Sequence, residues 1–331
     1  MNKQKRSKLT SVLLTLAVIL LLPAAIARLG IIHSSPAVVA GKVLNPAQIA
    51  LLYWYPANQS AHFTVGVGPY GVAFDGSNMW VANNTSNTVT KLRTSDGLVL
   101  GTFSVGAFPF GVAFDGANVW VTSQSDGSVT KLRASDGKLL GTFGVGVGSS
   151  GVVFDGLHIW VASQSLNNVT KLRASDGVLL GTYTVGSTPQ FLACDGANIW
   201  VTNFNSNNVT KLRASDGTIL GTYPVGTNPI GVSFDGSNIW VANVTSNNLT
   251  KLRASDGAAL GTFAVDSPWG LTFDGTSIWA VNISRNSVTK VRVSDGTLMG
   301  AFAVGQHPWT AAFDGANVWV VNEGSNTVSK L

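Results

Sequence analysis

Val65 to Gly97 reads VGVGPYGVAFDGSNMWVANNTSNTVTKLRTSDG, and forty residues later Val105 to Gly137 reads VGAFPFGVAFDGANVWVTSQSDGSVTKLRASDG. The unit recurs seven times. Asp75, Asp115, Asp155, Asp195, Asp235, Asp274 and Asp314 each precede a glycine, at spacings of 40, 40, 40, 40, 39 and 40. Trp80, Trp120, Trp160, Trp200, Trp240, Trp279 and Trp319 keep the same spacing. A self-similar period of about 40 residues marks the blades of a β-propeller, each of four strands.

Within the first copy, Gly71–Phe74 reads as a strand of small residues ended by an Asp-Gly hairpin turn. Met79–Ala82 carries Trp80, and a polar loop leads to a third strand, Val89–Thr94, ended by Ser95-Asp96-Gly97. Leu98–Val105 is the fourth, and β-branched and aromatic residues between regular turn signals leave no convincing helix among the repeats. The last copy stops at Lys330-Leu331 without a fourth strand, while Phe63-Thr64-Val65-Gly66 resembles a fourth strand with no blade of its own. The expectation is an all-β, seven-bladed propeller over 62–331, closed by residues 62–66 completing the last blade. Closure also hides the strand edges that an open array would expose.

The consensus VGxxPxGVAFDGxNxWVANxxSNTVTKLRxSDG resembles the YVTN (YncE-like) β-propeller repeat and is more distantly similar to NHL and streptogramin-lyase propellers. The resemblance covers 62–331 and implies the fold; propellers host many unrelated activities. Lys91 and Arg93 stand where that family more often has apolar or acidic residues, which sets apart any function tied to the third strand. Streptogramin lyases use a His/Glu cluster with a divalent metal at the channel mouth. Here that implies at most His307 with Glu323, with no second histidine on the same face.

Only 11% of the 331 residues are charged, 45% are apolar and there is one cysteine, Cys194, so a disulfide framework and CxxC motifs are excluded. The formal charge of +5 is concentrated at the start; without Lys3, Lys5, Arg6 and Lys8, seventeen basic residues face sixteen acidic ones. No nucleic-acid partner is expected from that balance. Four basic residues, an apolar run over Leu9–Leu22 and the small residues of Ala25-Ile26-Ala27 make 1–27 an export signal cleaved before Arg28. The alternative is an uncleaved anchor through 9–27, the one membrane contact expected. A secreted, periplasmic or cell-surface location follows, and a monomer. Residues 28–61 read as a linker followed by an apolar stretch, Ile49–Tyr55, that packs beside the closing strand or docks a partner.

Consecutive strands alternate in direction, so the Asp-Gly turns gather on one face and the loops on the other. The turns barely vary among copies, whereas the loops do. After the loop proline the copies carry Tyr70, Phe110, Ser150 (no proline here), Gln190, Ile230, Trp269 and Trp309. After the second strand come Asn84, Gln124, Gln164, Phe204, Val244, Ile283 and Glu323. The candidate ligand-binding residues are therefore Tyr70, Phe110, Gln190, Phe204, Ile230, Trp269, His307, Trp309 and Glu323, for a glycan, peptide or protein ligand. Drift on an unconstrained face, or packing between loops, would produce the same variation.

Thirteen of the fifteen aspartates lie in turns of the invariant face, and Glu323 is the one glutamate. That poverty of converging acids and bases argues against catalysis. No catalytic residue, metal site or cofactor is expected, the alternatives being a metal-dependent lyase or hydrolase and a structural envelope protein. The Lys91-type ladder is expected to lie over the blade tryptophans as cation–π pairs.

Overall fold

The computed structural model describes residues 61–331. The export or anchor segment, the linker and Ile49–Tyr55 lie outside the described residues. Among those described there is no helix, and all regular structure is antiparallel strand.

The first blade comprises β2 (Pro69–Phe74), β3 (Asn78–Asn83), β4 (Thr88–Arg93) and β5 (Val99–Ser104), ordered from the channel outwards. Five further blades repeat this pattern from β6 (Pro109–Phe114) to β25 (Leu298–Ala303). The seventh is built from β26 (Pro308–Phe313), β27 (Val318–Asn322) and β28 (Thr327–Lys330), and its outer strand is β1 (Ala61–Thr64). Phe63 pairs with Val328 and Thr64 with Thr327, so one end of the described chain fills the gap at the other. The chain is a closed seven-bladed propeller.

The Asp-Gly turn is the organising element of each blade. Asp75 Oδ1 accepts from the backbone N–H groups of Ser77 and Asn78 at 2.9 and 2.6 Å, and its Oδ2 accepts from Trp80 Nε1 at 2.7 Å. The indole bond recurs in all seven blades at 2.7–2.8 Å. Trp80 pairs in register with Lys91, whose ammonium lies 5.2 Å from the ring centroid, and Phe103 stacks on it at 5.5 Å. All seven lysines lie over their tryptophans, at 4.7–5.3 Å.

The same lysines bind the ring together. Lys91 Nζ donates to the carbonyl of Ala134 in the next blade at 2.6 Å, and Lys131, Lys171, Lys211 and Lys251 make the equivalent bond. Lys330 donates to the Thr94 carbonyl at 2.7 Å and so joins the last blade to the first. Four of the ladder lysines are at most 7% exposed, so they form no basic ring available to a polyanion. The arginines two residues on are exposed and pair with turn aspartates, as Arg93 does with Asp96 at 2.6 Å.

The apolar clusters of the core span neighbouring blades. Trp80, Ala82 and Val89 pack against Val119, Val121, Leu132 and Ala134, and Trp319, Val321 and Val328 against Met79, Val81 and Leu92 across the closure. The innermost strands approach so closely that a β-carbon on Gly71 would lie 2.1 Å from the Phe110 carbonyl oxygen.

Candidate functional site

The inner strand begins two residues earlier than its sequence pattern suggests, at Pro69, so Tyr70 and its equivalents stand on strands at the channel mouth. Trp269, Trp309, Tyr70 and Phe110 come from four successive blades of the closed ring and form one continuous aromatic arc. Trp269 and Trp309 meet edge to face at 4.6 Å, while the Trp309–Tyr70 and Tyr70–Phe110 pairs are tilted, at 4.2 and 5.6 Å. The edge-on Trp269–Trp309 pair lies within the separation range favoured for aromatic rings.

Phe191 adds a fifth ring, which sequence comparison of the loops did not single out. It occupies the slot held by Gly71, Gly111, Gly151, Gly231 and Gly270, and its ring lies 5.6 Å from that of Phe110, two blades away. The signal was present in the sequence as one aromatic in a column of glycines. Beneath the arc lies a cavity of about 150 Å³, lined by those glycines, Phe191, Thr310 and small apolar side chains.

The opposite side of the mouth is polar. Ser150 Oγ is spent on main-chain carbonyls, including that of Gln190 at 3.0 Å, and Gln164 Nε2 donates to Gln190 Oε1 at 2.8 Å. At the rim of the arc, His307 Nδ1 and Glu323 Oε2 are 2.9 Å apart, and the imidazole meets Trp309 edge-on at 6.3 Å. Burial, and secondarily the Glu323 carboxylate, push the Tyr70 phenol above its ordinary pKa, so it is neutral and able to donate at physiological pH.

The other candidates separate from this cluster. Ile230 is 1% exposed and offers no surface to a ligand; its carbonyl accepts from Thr202 Oγ1 at 2.7 Å. Phe110 is 6% exposed and acts mainly as packing for Tyr70 and Phe191. Phe204 is half-buried and makes no ring contact with the arc, its carbonyl accepting from Asn228 Nδ2 at 3.2 Å. Asp126 accepts from the Ala107 N–H at 2.7 Å, where other blades use a serine such as Ser86, and Arg285 pairs with Asp266. Those singular residues serve the loops.

Two polar atoms in the arc are left over. Trp269 Nε1 and Trp309 Nε1 are buried and have no hydrogen-bond partner, whereas the seven blade indoles are all satisfied. A buried, unpaired donor costs about 1–3 kcal/mol.

Backbone conformation marks the same rim. The residue before the loop proline is left-handed in six blades, and its counterpart Gly148 is too. Gly68, Gly148 and Asn228 adopt it readily, but Phe108, Thr188 and His307 also hold φ of 53–56° there. Phe108 is 50% exposed as well, so neither backbone preference nor burial accounts for its identity.

The mouth does not fit a catalytic divalent metal as it stands. His307 and Glu323 supply two donors already bonded to each other, and no cluster of three or more His, Cys, Asp or Glu exists among the described residues.

No protein-family model matches the chain, and no curated protein matches it. Solved structures do. A streptogramin B lyase is similar at 20% identity with a TM-score of 0.71, over 82% of this chain and 96% of the other. Hydrazine synthase of Kuenenia stuttgartiensis is similar at 19% identity and 0.71, over 81% and 96%. Virginiamycin B lyase from Staphylococcus aureus is similar at 18% identity and 0.70, over 82% and 98%. At this identity the likeness shows the fold and leaves the chemistry to the residues at the mouth.

Proposed function

We propose that the chain is an exported, non-catalytic binding module of the YVTN-like propeller type. Its ligand is a glycan, peptide or protein segment seated on the Trp269–Trp309–Tyr70 arc, with His307, Glu323 and Gln190 supplying polar contacts. The observation that carries this reading is the pair of buried, unpartnered indole N–H groups in the arc. A fold that satisfies every blade indole leaves these two N–H groups buried without a partner, and a ligand bearing hydrogen-bond acceptors would complete them once the arc's side chains shift to admit it. The amide pair across the mouth gives such a ligand a polar side opposite the aromatic one.

The test is a thermal-shift screen against glycans, peptides, streptogramins and divalent metals, repeated with Trp269→Phe/Trp309→Phe. A ligand bound only by the native state raises the midpoint. The reading requires a glycan or peptide shift that the double variant loses. An undiminished shift in that variant overturns it.

The lyase alternative draws on one specific observation, the His307–Glu323 pair at the mouth of a fold shared with streptogramin B lyase. It predicts turnover that a chelator abolishes and that His307→Ala removes. A structural envelope role predicts silence across the whole panel.

A further inference from the structure

The two faces of the ring differ in charge as well as in variability. The ladder lysines and the arginines beside them are bonded on the Asp-Gly side, where Lys91 meets the Ala134 carbonyl and Arg93 pairs with Asp96. Among the described residues, the loops of the opposite face carry four charged side chains besides His307, namely Asp126, Asp266, Glu323 and Arg285. Arg285 is paired with Asp266, and Asp126 accepts from the Ala107 N–H. Three carboxylates against one paired cation leave this face negative, and Glu323 is the carboxylate at the arc.

Glu323 is held from both sides. Its N–H donates to the His307 carbonyl at 3.0 Å, and its own carbonyl accepts from the Asn326 N–H at 3.3 Å. The side chain meets His307 Nδ1 through Oε2, which leaves Oε1 for a second donor. His307 in turn lies edge-on to Trp309. After burial, the Glu323 carboxylate is what raises the Tyr70 phenol, so its field reaches the rings. Tyr70, Trp269 and Trp309 are half-buried and keep part of their surface open. Aromatic faces carry the negative part of a quadrupole and attract a guanidinium or ammonium, more strongly where water is excluded.

Given the binding role proposed above, on which this step rests, we infer that the ligand is a basic peptide, with an arginine or lysine side chain lying on the arc against Glu323. Rings and carboxylate then act on one positive charge. A peptide backbone also brings carbonyls for Trp269 Nε1 and Trp309 Nε1, and both donors and acceptors for the Gln164–Gln190 pair across the mouth. A neutral glycan would stack on the rings and supply acceptors, but it would make no use of the carboxylate placed beside them.

Calorimetric titration of the full-length protein with acetyl-Gly-Arg-Gly-amide, and with the same peptide carrying neutral citrulline for arginine, tests the assignment. The arginine peptide should bind about tenfold more tightly. Glu323→Gln should erase most of that difference and leave the thermal midpoint nearly unchanged. Asp126→Asn, on the same face but bonded to the Ala107 N–H, should preserve the difference. Equal binding of the two peptides, no binding of either, or an equal loss in both variants overturns the basic-peptide assignment. If a neutral glycan then binds and Trp269→Phe/Trp309→Phe abolishes that binding, the arc stands as a binding site for another ligand. If the arginine peptide binds undiminished in that double variant, the assignment and the arc fall together.

Discussion

The rings of Tyr70 and Trp309 lie 4.2 Å apart, one on the first blade and the other on the last. Their contact exists only because the ring closes, so the aromatic arc and the closure depend on each other. Trp309 also packs on the core that joins those two blades, beside Trp319 and Met79.

Replacing Tyr70 and Trp309 by alanine should therefore show coupling. Each loses ring contacts worth about 0.5–1.5 kcal/mol beyond area burial, and part of that loss is shared. The double variant should unfold in urea at a denaturant concentration higher than the sum of the single shifts predicts. Simple additivity would mean that the two rings are neighbours without mutual stabilisation.

The ladder lysines should matter to stability far more than the arginines beside them. Lys171 is 3% exposed, its ammonium bonded to the carbonyls of Ala214 and Ser215 at 2.7 and 2.9 Å. Lys171→Met keeps a flexible side chain on Trp160 but leaves those acceptors without their donor, at about 1–3 kcal/mol. Arg173→Met, which removes an exposed pair with Asp176, should change stability by less than about 1 kcal/mol. Equal denaturation midpoints for the two variants would show that the ladder does not hold neighbouring blades together.

The blade was legible in the sequence and the mouth was only partly so, for one physical reason. Trp80 opposite Lys91 follows from the two-residue period of paired strands once the loop between them is counted, and the spare strand at Phe63 follows from the repeat itself. Contacts between blades depend on ring curvature, which no local period encodes. Lys91 reaches the carbonyl of Ala134, Phe191 meets Phe110 two blades away, and Ile230 is buried where Trp269 in the equivalent slot is not. The left-handed residue before each loop proline was hidden because Phe108, Thr188 and His307 are not residues that announce it.

Asn207 serves its loop in two ways. It holds φ of 54°, and its Oδ1 accepts from the N–H of Asn228 in the next loop at 2.9 Å. Asn87, Asn167, Asn247, Asn286 and Asn326 make the equivalent bond, Asn326 to Gly68 across the closure. Asn207→Gly preserves the conformation and loses only the bond, so it should cost about 1 kcal/mol. Asn207→Ala also carries an alanine into the left-handed region and should cost about 1–2 kcal/mol more. Indistinguishable midpoints for the two variants would leave the inter-blade bond as the whole effect.

Acid should open the ring through its turns. Burial by itself raises the carboxyl of Asp195, but donation from Trp200, Asn198 and the backbone N–H groups of Ala197 and Asn198 more than reverses this, and the net shift is downward. Asp155, Asp235 and Asp314 behave alike, with burial again the largest opposing effect, and Asp274 is lowered furthest, with Lys290 among its donors. A carboxyl lowered in the folded state takes its proton first in the unfolded chain, so its contribution is complete above the ordinary value of 3.8 and disappears as pH falls through the folded one. The thermal midpoint should accordingly be insensitive to these carboxyls between pH 7 and about pH 5 and fall steeply below about pH 4. Asp195→Asn should lower the midpoint at pH 7, because a neutral amide is a weaker acceptor for the Trp200 N–H, and it should make the acid limb shallower. If the variant and the parent lose stability in parallel below pH 4, the turn carboxylates are not what acid attacks.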